Sequence, residues 1–212
     1  MTTKGKLKAF FDTEKESLKL IDKYEENINF FNDLLKNGHT EDVEFVIPIK
    51  MYNYAYSLEK KGYYTKALSI AYEIEKDIER LRGQSKWYEM YSEGVMFLKG
   101  MCLERLKKYK ESNKYFEQLI KIKPTNDNFI NWYKSNIQNQ IQGISNIISI
   151  TAFVIVVLCI VVNLTKILNF RIPAIIEAIF WIIAIIAMVF PYIWKKFIDK
   201  KIQVKTNKKG GG

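Results

Sequence analysis

The chain has 212 residues, a formal net charge of +10, one histidine and two cysteines. Its basic excess lies mainly near the C-terminus: residues 1–165 hold 24 Lys+Arg against 21 Asp+Glu (+3), and residues 166–212 hold 9 against 2 (+7). A nucleic-acid-binding domain needs a basic face on its folded part, so this distribution argues against nucleic acid as a partner. One histidine and two distant cysteines provide no zinc set, and there is no catalytic triad or glycine-rich phosphate loop. The sequence therefore predicts no enzyme activity and no cofactor.

Helical periodicity dominates residues 13–142. The run Thr13-Glu14-Lys15-Glu16 is a capping-box pattern and predicts Thr13 as the N-cap of the first helix. Apolar residues then recur at steps of three and four and predict one helix that ends at Asn37-Gly38, with Leu18, Ile21, Tyr24, Ile28, Phe31 and Leu35 on its stripe. Such a stripe fits either a coiled coil or packing against the next helices.

Turn and capping residues predict five further helices. They run from Pro48 to Lys61, from Thr65 to Arg82, from Ser85 to Leu106, from Lys110 to Ile122, and onwards from a cap at Thr125. Paired helices with short turns are typical of a helical repeat.

One of these pairs resembles a tetratricopeptide repeat. Within Met96–Pro124, small residues lie at Gly100 and Ser112, where the two helices must approach closely, and Phe116 and the closing Pro124 also match the pattern. The resemblance implies an all-α fold, TPR-like over residues 1–142, with a surface that binds a partner protein. The alternative is a generic helical bundle.

A weaker copy of the pattern covers Pro48–Arg82, with small residues at Ala55 and Ala67 and a turn at Gly62-Tyr63-Tyr64. The two copies are offset by 45 residues (112 − 67), whereas tandem tetratricopeptide units repeat every ~34 residues. The first copy also lacks the closing proline.

Aromatic residues are dense in and around the first copy. Tyrosine and tryptophan are favoured at protein interfaces, because they bring a large contact area and a polar tip. The candidate partner-binding residues are Tyr52, Tyr56, Tyr63, Tyr64, Trp87 and Tyr91. The alternative for each is packing between the repeat helices.

Two charge-poor apolar stretches predict a transmembrane helical hairpin, because each has the ~20 residues that cross a bilayer. The predicted segments are a first span at 143–165, a short outer loop at 166–171, a second span at 172–194, and a Lys-rich tail at 195–212 in which Gly210–Gly212 resembles a tag or linker scar. The positive-inside tendency places that tail on the cytoplasmic side. The sequence thus predicts an integral membrane protein with two spans and with cytoplasmic N- and C-termini.

Polar residues in this region are further candidates. Glu177, Ser145, Ser149 and Thr151 are the polar positions associated with the spans, and Lys195, Lys196, Lys200 and Lys201 are candidates for lipid head groups. The first functional hypothesis is a membrane-anchored adaptor, with a protein partner and membrane lipids. The second is an oligomeric membrane effector or pore-former of a bacterial defence or toxin system, which would be gated by its soluble domain and would form a homo-oligomer.

Overall fold

A computed structural model describes residues 2–166 and, beyond them, 178–179, 181–186, 189–190, 192–193, 196–197 and 200. The regular structure of these residues is helical, with no strand among them. The chain divides into two compact units, Met1–Tyr133 and Lys134–Gly212. The all-α prediction is confirmed for the described part of the chain.

The first unit begins with three short helices: α1 (Thr3–Thr13), α2 (Ser17–Glu26) and α3 (Ile28–Asn37). The predicted helix start at Thr13 is wrong. Thr13 ends α1, and its hydroxyl donates to the Ala9 carbonyl at 2.8 Å. The Glu14 carboxylate instead accepts the backbone N–H groups of Lys15 and Glu16, both at 2.8 Å, just before α2 begins.

The single predicted stripe is divided between α2 and α3, which meet at Asn27. Its members Ile21, Tyr24, Phe31 and Leu35 are buried in the core. The other two are exposed: Leu18 lies in the first turn of α2, and Ile28 begins α3 directly after the break at Asn27.

A longer helical rod follows, formed by α4 (Thr40–Pro48), a π-helical segment (Ile49–Ala55) and α5 (Tyr56–Lys60). The prediction that a helix starts at Pro48 is wrong, since the helix begins at Thr40, where the Asp42 carboxylate accepts the His39 backbone N–H at 2.9 Å. Pro48 lies inside the rod and has no N–H to donate. The backbone opens into wider π turns immediately after it.

Two helix pairs complete the repeat region: the rod with α6 (Tyr64–Glu79), and α7 (Tyr88–Arg105) with α8 (Tyr109–Ile122). α7 packs against both α6 and α8. The four small positions predicted from the repeat pattern, Ala55, Ala67, Gly100 and Ser112, are all buried. The helical-repeat organisation is therefore confirmed, although the helix boundaries shift by a few residues.

The last helix of the first unit is the beginning of α9 (Asp127–Lys166). Its N-terminal cap is Asn126 and not the predicted Thr125. The Asn126 side-chain oxygen accepts the backbone N–H groups of Asn128 at 3.0 Å and Phe129 at 3.4 Å.

The structure does not support the predicted membrane hairpin. A helix crosses a bilayer only if it is both long, about 20 residues, and predominantly apolar. In the described residues, no helix meets both requirements. The prediction of an integral membrane protein with two spans and cytoplasmic termini is therefore wrong.

Several residues predicted for that hairpin lie outside the described residues, namely 167–177 with Glu177, and Lys195 and Lys201 near the tail. Ser145 and Ser149 belong to α9, but their side chains are not described. Thr151 is exposed and donates its hydroxyl to the Ile147 carbonyl of its own helix at 2.9 Å. Lys196 and Lys200 are exposed. The described apolar side chains of α9 from Ile147 to Val161 are also largely exposed.

Candidate functional site

Two buried lysines fix α6 between its neighbours. Lys50, in the π-helical segment, is 4% exposed and pairs with Glu73 at 3.2 Å and Asp77 at 3.0 Å. Carboxylates and basic residues alternate along α6, a pattern that is typical of a solvated helix face. In the structure, two of its carboxylates instead hold an ammonium group that a helix earlier in the chain delivers.

The second buried lysine is Lys99 of α7, only 1% exposed. Its ammonium group lies 4.2 Å from the ring centroid of Tyr72 and 5.5 Å from that of Tyr115, and it pairs with Glu75 at 2.5 Å. Burial lowers the pKa of Lys99 below its usual value, more than the hydrogen bond that Lys99 donates to Glu75 raises it. This lysine therefore joins α6, α7 and α8 at a cost in desolvation.

Tyr54 faces inward from the same segment as Lys50. Its ring stacks on Tyr24 at 4.2 Å, and its hydroxyl donates to Glu25 at 2.9 Å, where Lys66 also donates at 2.7 Å. Tyr52 and Tyr56 leave the rod on a different side. There the Tyr52 ring is exposed, whereas the Tyr56 ring is half-buried and packs against the core.

The exposed Tyr52 and the half-buried Tyr56 form the centre of a partly exposed surface, which we call the Tyr52 surface: Tyr52, Tyr56, Glu93 and Gly94. The two rings stack at 6.0 Å with 24° between their planes, and Tyr52 is 44% exposed. Gly94 of α7 lies beside them: a Cβ there would be 3.0 Å from Met51 Cε and 3.3 Å from the Tyr52 hydroxyl. The missing side chain allows Tyr52 to lie close to α7.

The polar groups of this surface are arranged around the Tyr52 hydroxyl. Burial, with a smaller contribution from Glu93, raises the pKa of Tyr52, so its hydroxyl stays protonated and can donate a hydrogen bond. Glu93 is itself held by Lys123 at 2.5 Å. The surface offers flat apolar rings, one hydroxyl and one fixed carboxylate.

The structure separates the six aromatic candidates of the sequence. Tyr52 and Tyr56 are together, Tyr63 (55% exposed) and Tyr64 lie at the turn into α6, and Trp87 (41% exposed) precedes α7 with the Lys86 ammonium 4.9 Å from its ring. Tyr91 is 5% exposed, and burial, followed by Glu44 and Tyr52, raises its pKa. Tyr91 is thus a core residue beneath the surface.

An aromatic cluster at the junction of α7, α8 and α9 was not predicted as a site. Phe97 contacts Phe116, Phe129 and Trp132 at ring-centroid distances of 6.0, 5.5 and 5.9 Å, and the Arg105 guanidinium lies 5.5 Å from the Trp132 ring. Its sequence signal is the spacing of Phe97 three residues before Gly100, the close-approach position of the same helix.

Other polar features of the described residues are separate from this surface. A cleft of about 400 Å³ is lined by Gly38, His39, Thr40, Val43, Arg80 and Gln84. In it, Arg80 donates to the Gly38 carbonyl at 3.0 Å and Thr40 to Gln84 at 2.9 Å. Burial, with a smaller contribution from Glu59, raises the pKa of the Cys102 thiol to about 12, which keeps this buried side chain protonated.

Comparison with known proteins gives one result for this region. Residues 94–126 match the family model of the tetratricopeptide repeat. The match starts at Gly94 and covers the rest of α7, all of α8 and the turn between them. It confirms the resemblance seen in Met96–Pro124. No curated protein and no solved structure matches the chain.

Proposed function

We propose that this protein is a protein-interaction adaptor whose helical repeats bind a partner protein through the Tyr52 surface. The observation that carries the proposal is the stacked pair of the exposed Tyr52 and the half-buried Tyr56 beside Gly94, the first residue of the repeat match. Tetratricopeptide repeats generally mediate binding to protein partners. The proposal assigns no catalytic step to the chain.

The chemistry of the surface supports a protein partner. A stacked tyrosine is already held near one conformation, so binding loses little side-chain entropy while covering a large ring area. The protonated Tyr52 hydroxyl donates, and the Glu93 carboxylate accepts. A partner segment with one apolar or aromatic side chain, a free backbone carbonyl and a free backbone N–H would satisfy all three groups.

The remaining aromatic candidates have different places in the proposal. Tyr63, Tyr64 and Trp87 stay as outlying contacts, because they are exposed or half-buried. The buried Tyr91 supports Tyr52 from below and is not part of the proposed contact. Self-association stays a prediction, and the exposed apolar side chains of α9 are the described feature behind it.

Removing the rings should remove the partner. With the full chain as bait, we expect Tyr52→Ala/Tyr56→Ala to recover about tenfold less partner protein or lower still, since interface tyrosines each contribute more than ~1 kcal/mol when they are hot spots. Quantitative mass spectrometry of the captured proteins measures this.

The matched control is Leu18→Ala, because Leu18 is also 44% exposed but lies on α2. Tyr52→Ala alone covers the case in which loss of the half-buried Tyr56 lowers stability. Equal recovery of the same proteins by Tyr52→Ala and by Leu18→Ala would refute the proposal.

A further inference from the structure

In each of the two helix pairs of the repeat region, a turn joins the first helix to the second, and the two turns have the same geometry. In the first, the N–H groups of Gly62 and Tyr63 bond to the carbonyls of Glu59 and Leu58, both at 2.9 Å. In the second, the N–H groups of Lys107 and Lys108 bond to those of Glu104 and Leu103, both at 2.8 Å. This is the Schellman pattern of a helix end, which needs a left-handed residue after the helix.

The left-handed residue differs between the turns. It is Gly62 in the first, with φ +86°, and Lys107 in the second, with φ +59°. Lys107 is the one non-glycine residue with positive φ in the described part of the chain. For a residue with a Cβ, this conformation is higher in free energy by about 1 kcal/mol or more, whereas for glycine it is not. A lysine kept in a strained position points to a use for its side chain.

The two turns are neighbours. Arg105, which precedes the second turn, pairs at 3.3 Å with Glu59, which precedes the first. Arg105 also lies 3.8 Å from Glu104, so both buried carboxylates at this edge face the same guanidinium. The ion pairs therefore hold the lysines of both turns along one edge of the first unit.

We call this the basic edge: Lys60, Lys61, Lys107, Lys108 and Lys110. All five side chains are exposed, and none forms an ion pair within the part of the chain that the structure describes. The next carboxylate along α8 is Glu111, which lies near Tyr115. Burial and the Tyr72 hydroxyl raise the pKa of Tyr115, and Glu111 makes a smaller contribution in the same direction. Five ammonium groups thus face solvent at this edge.

We propose that the basic edge binds an acidic segment of the partner protein, which rests on the proposed adaptor function. Lysines are compact charges on flexible stems, suited to the scattered carboxylates of an extended chain. Residues 1–133 hold 23 Lys+Arg and 21 Asp+Glu (+2), which is far from the domain-wide basic face of a nucleic-acid-binding domain. The edge also continues the Tyr52 surface, because Lys60 follows Tyr56 by one helical turn on the same rod.

The test is fluorescence anisotropy of the full chain with a labelled decapeptide of alternating Asp and Glu. We expect binding that weakens from 50 to 200 mM salt, as ionic contacts at a surface do. Lys107→Glu/Lys108→Glu should weaken it about tenfold or further, whereas Lys6→Glu/Lys8→Glu, the same double charge reversal on exposed residues of α1, should leave it within about twofold.

Lys107→Gly separates a binding role from a structural one. It should weaken decapeptide binding about threefold and yet raise the melting temperature by about 2–4 °C, because the left-handed conformation is free of strain for glycine. A purely structural lysine would give the gain in stability without the loss in binding.

Several outcomes would overturn the proposal. They are equal binding of an Asn/Gln decapeptide, unchanged binding by both Lys107 variants, or tighter lysine-dependent binding of a ten-nucleotide single strand or of anionic phospholipid vesicles. Tyr52→Ala should keep the decapeptide affinity. Failure of the Tyr52 capture experiment would therefore remove the proposed function without changing the decapeptide result, and the reverse also holds.

Discussion

Gly100→Leu is expected to lower the free energy of unfolding by about 3 kcal/mol or more. A Cβ at Gly100 would lie 2.9 Å from two ring carbons of Phe116, a fully buried side chain of α8. The backbone at this point is also fixed from α8, because the Ser112 hydroxyl donates to the Gly100 carbonyl at 2.7 Å. The two helices cannot separate enough for a leucine without losing that hydrogen bond and the packing around Phe116.

Urea unfolding of the full chain measures this effect, with the midpoint and slope analysed together. Gly100→Ala should show a smaller loss of about 1–3 kcal/mol. Gly143→Ala is the control, since a Cβ at this glycine of α9 meets nothing within 4 Å and alanine is the better helix former. A change below about 1 kcal/mol for Gly100→Leu would mean that α7 and α8 do not pack as described.

Glu75→Gln and Lys99→Met are expected to have unequal effects on stability, although they remove the two halves of one ion pair. Glu75→Gln leaves the buried Lys99 ammonium without a carboxylate and should cost about 2 kcal/mol. This is less than the 3–5 kcal/mol typical of fully buried pairs, because the Glu75 side chain is half exposed and screened by solvent. Lys99→Met leaves Glu75 solvated and removes the desolvation of the ammonium, so stability should stay within about 1 kcal/mol or rise.

The pH dependence gives an independent check on Lys99. Its pKa in the folded state is lowered from the ordinary value of 10.5, so the charged form is disfavoured by folding. That penalty is complete below the folded-state pKa and disappears as pH rises to 10.5. Thermal unfolding should therefore show the wild type gaining stability relative to Lys99→Met over this interval. A destabilised Met variant with no such pH dependence would contradict the assignment.

The sequence-based predictions were most accurate for features that depend on local residues. The turn at Gly62 and the small positions Gly100 and Ser112 were predicted correctly, because turn chemistry and close approach each need particular residues. The repeat region was therefore accessible from sequence, including the segment that the family comparison later matched.

The errors arose where contacts between residues far apart in the sequence determine the structure. Lys50 donates to Asp77, 27 residues later, so a buried lysine pairs with carboxylates of α6, a helix whose alternating charges resemble a solvated face. The π-helical segment after Pro48 departs from the 3.6-residue period, so the period alone does not separate the exposed Tyr52 from the buried Tyr54. Composition alone does not distinguish Tyr52 from Tyr91. Only the packing of α7 beside the rod makes Tyr52 a surface residue and Tyr91 a core residue.

The role of the Tyr52 surface is tested most directly by photo-crosslinking in living cells. The full chain would carry p-benzoylphenylalanine at position 52 or, as the control, at position 18, which is equally exposed on α2. We expect a discrete crosslinked protein partner at position 52 that is absent at position 18 and lost when Tyr56→Ala is added. The same crosslinked proteins at both positions, or none at position 52 in an abundantly expressed chain, would contradict the assignment of this surface to a partner protein.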